Sequence, residues 1–189
     1  MRALVVRIDS VGIMFITASL LILMYASTFP AVMGLSLTSA VLLIAGVTFS
    51  LTFRTAEIRP GLKPEHLIYS LLGLGAMLLA NIAVFRLGEL AVAPFDITWF
   101  LILVAVSEEV MVRGFLLPWF VQRFRSVWLG IAASSLVWTI YHFYVSGGDE
   151  TYLVSVFVAG LVLGYITYRS GSLTPALIAH VANNLLAAF

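Results

Sequence analysis

The sequence predicts an all-α protein: a polytopic transmembrane helical bundle of about seven spanning helices, with its N-terminus in the cytoplasm. Three observations predict it. Hydrophobic residues fill 62% of the 189 positions and charged residues only 10%, with a mean hydropathy of +1.10. Soluble domains are nearer about 45–50% apolar and about 25% charged. A water-soluble globule of this composition lacks the polar groups to cover its surface. The apolar residues also gather into stretches near the roughly 20 residues that a spanning helix needs. Finally, the short segments between the stretches hold nearly all the ordinary charge. A soluble enzyme, a disordered chain and a nucleic-acid binder are thereby disfavoured.

The stretches cover residues 11–29, 31–53, 67–85, 97–117, 127–145, 151–168 and 173–189. The first two meet at Phe29-Pro30, where proline removes a helix donor and restricts the residue before it. The first reads as a span rather than a cleaved signal peptide, because its apolar run is long and no A-x-A site follows. With the N-terminus inside, the cytoplasmic segments hold Arg2 and Arg7; Arg54, Arg59 and Lys63; Arg123 and Arg125; and Arg169. The external segments hold Arg86 alone, beside Glu89, Asp96, Asp149 and Glu150. That is the positive-inside pattern.

The chain reads as a single membrane domain, 1–189, with no internal repeat or low-complexity linker. Membrane lipid is its first expected partner, and a prokaryotic cytoplasmic membrane is the expected setting. Nothing in it sets an oligomeric state. With no cysteine there is no disulfide, thiolate metal site or cysteine nucleophile. Trp99, Trp119 and Trp128 fall near span ends, as an aromatic belt would. Gly160 with Gly164, and Gly73 with Gly75, are spaced for close helix packing.

The informative residues are those a membrane should reject. Glu108, Glu109 and Arg113 fall in the fourth stretch, His142 in the fifth, and His180, Asn183 and Asn184 in the seventh. An ionisable side chain at the bilayer centre costs about 2.5–3.5 kcal/mol even on lenient scales, so such groups pair and mark functional sites. Glu109 and Arg113 are four residues apart, on one helix face, and read as a structural ion pair. Glu108 is rotated from Glu109 by roughly 100°. Two adjacent carboxyls in low dielectric cannot both ionise cheaply, which suits Glu108 to proton transfer.

Alone, His142 or His180 reads as a buried histidine bonded to backbone, and Asn184 as an interhelical glue residue. Their coincidence on three stretches changes the weighting. Glu108, His142 and His180 form a ligand set for zinc-activated water. They equally form a metal-free site in which a carboxylate and a histidine activate water. Depth counted along the stretches puts His142 nearer the external end than Glu108 or His180, which a tilted fifth helix would correct. Two other classes compete. One is a non-enzymatic immunity or scaffold protein that uses the polar cluster for packing. The other is an ion-coupled transporter, against which the lack of repeated halves counts.

These residues resemble a known family. Glu108-Glu109-x-x-x-Arg113 looks like its EExxxR motif, Trp138-x-x-x-His142 like FxxxH with tryptophan for phenylalanine, and His180-x-x-x-Asn184 like HxxxN. Gly171-Ser172-Leu173 also fits the usual entry to the third motif. The family is CPBP, the intramembrane CAAX proteases and bacteriocin-processing enzymes, which includes the type II CAAX prenyl endopeptidases. The resemblance implies an intramembrane endopeptidase with its protease core at approximately 97–189. It implies Glu108 as the catalytic carboxylate and His142 as its helper. His180 and Asn184 would hold the oxyanion, with Glu109 and Arg113 in support. The implied substrate is a membrane-associated peptide or protein, CAAX-type or bacteriocin-like. Trp138 reads here as an aromatic filler.

Overall fold

The computed structural model describes residues 63–85, 95–145 and 147–186 continuously, with isolated residues nearer the N-terminus. The stretches 11–29 and 31–53, and with them the side on which the N-terminus lies, fall outside the described residues.

Every described element is helical. They are α1 (Pro64–Phe85), α2 (Phe95–Met111), a π-helical turn (Val112–Leu116), α3 (Leu117–Phe124), α4 (Val127–Val145), α5 (Glu150–Ser170) and α6 (Thr174–Leu186). The fourth predicted stretch is corrected most. It does not end near residue 117 but runs through the π turn into α3. Pro118 supplies a physical reason. It has no N–H, and its ring would clash with the carbonyl four residues back in an α-helix. The backbone instead widens, and the Leu117 N–H donates to the Val112 carbonyl. Such turns commonly occur at functional sites.

The helix ends are set by local chemistry. Asp149 caps α5, its carboxylate accepting from the N–H groups of Thr151 and Tyr152 at 2.9 and 3.1 Å. Gly171 ends α5 in the left-handed conformation, at φ 62°, where glycine avoids the steric cost of a Cβ. α3 and α4 form a tight hairpin through Arg125 and Ser126.

α5 packs on α1, α4 and α6; α1 also meets α6, and α6 meets α2. Small residues permit the closest approaches. A Cβ on Gly160 would come within 2.8 Å of Ser135, and one on Gly73 within 2.6 Å of Ile166. Gly75 does not share this role, since a Cβ there meets nothing within 4 Å among the described residues. Trp119 is also corrected. It is no belt residue but a buried one, against Phe115 and Phe120 at centroid distances of 6.4 and 4.7 Å. Trp99 and Trp128 are exposed as expected.

Among the described residues, one helix, Glu150–Ser170, is long and apolar enough to cross a membrane, with a mean hydropathy of 1.7 over its best window. Large apolar side chains also face outward, including Leu67, Ile68, Leu71 and Leu72 on α1 and Trp128, Leu129, Leu136 and Ile140 on α4. α4 and α5 pack antiparallel, with Gly160 at Ser135, Gly164 at Ile131 and Trp128 at Tyr165, which gathers the ends bearing Arg125 and Arg169 on one side, with Asp149 and Glu150 at the opposite end of α5.

Candidate active site

Glu108 and Glu109 sit in the last turn of α2, and Arg113 in the π turn that follows. Helical rotation sends the two carboxylates different ways. Glu109 is wholly buried. Its Oε1 accepts from Arg113 Nη1 at 2.9 Å and from His180 Nδ1 at 2.8 Å. Arg113 is buried too, and its Nη2 donates to the Gly160 carbonyl on α5 at 3.4 Å. Glu109 Oε2 is buried with no hydrogen-bond partner among the described residues. The ion pair expected from the i,i+4 spacing is therefore present, but it extends to a third group 71 positions along the chain.

Glu108 is less enclosed, with 15% of its side chain accessible. Its Oε2 accepts from the Trp138 indole Nε1 at 2.9 Å. His142 Nε2 lies 3.8 Å from Oε1, and His180 Nε2 lies 3.7 Å from Oε2. Neither distance is a direct hydrogen bond. Both imidazoles are oriented through the opposite nitrogen. His142 Nδ1 donates to the Trp138 carbonyl at 3.0 Å, since a carbonyl can only accept. His180 Nδ1 is held by Glu109. Each ring thus turns Nε2 toward the same carboxylate. The counted depth difference of His142 does not keep it away: α4 brings it beside Glu108.

Trp138 joins these parts. It is buried, and its ring stands edge-on to His142 and His180 at centroid distances of 5.0 and 5.4 Å. The Arg113 guanidinium lies 4.4 Å from its centroid. The filler reading of Trp138 missed its indole donor. Tyr152 of α5 approaches His142, with ring centroids 6.0 Å apart. No sequence signal singled it out. Asn184 lies one turn beyond His180 on α6 and is half-buried.

The donor set of two imidazoles and a carboxylate is chemically suited to zinc. However, among the described residues no three His, Cys, Asp or Glu side chains are arranged to hold a metal ion.

The family described as Type II CAAX prenyl endopeptidase Rce1-like matches residues 90–186. The chain belongs to this family. Membership implies protease activity on a membrane-associated peptide. Comparisons with curated proteins and with solved structures return no match. The matched region begins just before α2 and ends with α6, so it contains every residue of the cluster.

Proposed function

We propose that the chain is an integral membrane endopeptidase that hydrolyses a peptide bond of a membrane-associated substrate, CAAX-type or bacteriocin-like, with water activated by Glu108 and His142. The observation that carries this reading is the pair of Nε2 atoms facing one carboxylate, at 3.8 and 3.7 Å. The outward apolar faces of α1 and α4 support a lipid setting. The basic ends of α3 and α5 support placing that side in the cytoplasm.

In the proposed reaction a water donates hydrogen bonds to Glu108 Oε1 and His142 Nε2. Glu108 takes the proton as the water oxygen attacks the carbonyl carbon. The carbonyl oxygen becomes an oxyanion. His180 in its doubly protonated form donates to it through Nε2, while Nδ1 keeps its bond to Glu109. Asn184 supplies a second donor from the next turn. Fixed donors of this sort act most strongly where water is excluded. The C–N bond then breaks, and Glu108 returns the proton to the leaving amine. No step passes through a metal. Turnover that survives exhaustive chelation supports this scheme, whereas chelation loss reversed by zinc alone favours the zinc-activated alternative.

The test compares new peptide termini in native membranes carrying wild type or Glu108→Gln at equal protein level. Termini present only with the wild type are expected. Identical profiles with both proteins folded would move the reading to an immunity or scaffold role.

A further inference from the structure

From the indole bond to Glu108 we infer that Trp138 is a positioning residue, which assigns the two oxygens of that carboxylate different tasks. The inference rests on the reading of Glu108 as the proton acceptor. In the resembled motif the corresponding residue is phenylalanine, which offers an aromatic ring but no donor. Here Nε1–H donates to Glu108 Oε2 at 2.9 Å. The terminal torsion of a glutamate is broad and nearly two-fold, so an unbound carboxylate exchanges its oxygens freely. A donor on one oxygen removes that freedom. Oε2 is committed to Trp138 and lies toward His180, and Oε1 is left facing His142 at 3.8 Å. The proton from water is therefore received on Oε1.

The donor is itself held in place. Trp138 is buried, with Arg113 4.4 Å from its ring centroid. A cation over the face of an indole draws electron density from the ring and strengthens N–H donation at the edge. The Trp138 carbonyl meanwhile fixes His142 through Nδ1 at 3.0 Å. One residue thus orients the carboxylate by its side chain and the histidine by its backbone. Only the first of these depends on its being tryptophan. That separation makes the role testable.

Trp138→Phe keeps an aromatic ring and the backbone carbonyl, and removes the donor along with part of the indole's volume. With a peptide spanning a terminus generated by the wild type, kcat is expected to fall about ten- to a hundred-fold, the effect of losing a hydrogen bond to a charged group. KM should stay within about twofold, because the remaining site residues are unchanged. A packing role alone would instead lower stability and leave the kcat of the folded fraction intact. A second readout needs no turnover. The indole N–H resonance absent from 15N-labelled Trp138→Phe is the one to follow. It should shift in Glu108→Gln, where a charged acceptor becomes neutral, while those of Trp99 and Trp128 stay in place.

Wild-type kcat in Trp138→Phe overturns the inference and leaves the protease reading standing. An unmoved indole resonance in Glu108→Gln overturns it as well. If Trp138→Phe does not fold, side-chain 15N labelling of the wild type and Glu108→Gln decides. The bonded indole is then the one resonance that moves. If the wild type cleaves nothing, the protease reading fails, and the resonance still reports whether Trp138 holds Glu108.

Discussion

Glu108 and Glu109 are neighbours in the chain and opposites in the fold. Glu109 has no accessible side-chain surface, and a guanidinium and an imidazole both bind its Oε1. Glu108 keeps 15% of its side chain accessible and faces two imidazole nitrogens at distances too long for direct bonds. One carboxylate is spent on holding helices together; the other is oriented but not neutralised. A single residue step on a helix, about 100° of rotation, is enough to separate a brace from a reactive group.

The strongest way to break the comparison is Glu108→Gln. It removes the proton acceptor and keeps the shape and an acceptor for Trp138. Turnover should fall by about a thousandfold or more, on the scale of losing an essential acid–base group. Thermal unfolding in detergent should change by less than about 1 kcal/mol, in the range of substitutions that break no buried network.

Arg113→Met should show the reverse. It leaves Glu109 buried without its counter-charge, and breaking a buried pair by one partner costs about 3–5 kcal/mol. Arg113→Met combined with Glu109→Gln removes both charges and should recover a good part of that loss. If the double variant is no more stable than the single, Glu109 is not the partner that matters.

His180 belongs to both halves, with Nδ1 on Glu109 and Nε2 toward Glu108. His180→Gln should therefore lower kcat by about a hundredfold, as for one oxyanion donor. It should also cost about 1.5–3 kcal/mol of stability, as for a charge-assisted bond. Unfolding midpoints and kcat measured on one preparation separate the two losses.

The sequence carried the local part of this picture. The i,i+4 spacing gives the Glu109–Arg113 pair, and a predominantly apolar run gives α4 over residues 127–145. Both depend on neighbours within about one turn. The bond from His180 to Glu109 spans 71 positions and depends on how α6 docks against α2, which no spacing encodes. Trp119 misled for a related reason. A tryptophan near a span end looks the same whether its helix face meets lipid or Phe115. The π turn was foreshadowed by Pro118, yet proline more often ends or kinks a helix, so its effect on the register of Arg113 was not legible.

The smallest expected effect sharpens the brace side. Gly160 serves it twice, by accepting from Arg113 and by letting α5 lie close to Ser135 of α4. A Cβ at Gly160 would stand 2.8 Å from the Ser135 Cβ, so Gly160→Ala must push α5 outward and lengthen the Arg113 bond of 3.4 Å. Overpacking of this kind costs about 1–3 kcal/mol. Gly75 is the matched control on α1, since a Cβ there meets nothing within 4 Å among the described residues. Gly75→Ala should be neutral or stabilise by up to about 1 kcal/mol through helix propensity. Unfolding of the two variants side by side distinguishes the causes. Equal shifts would mean that glycine acts through propensity alone. A loss confined to Gly160→Ala would place the close approach of α5 among the supports of Arg113, and through Arg113 of Glu109.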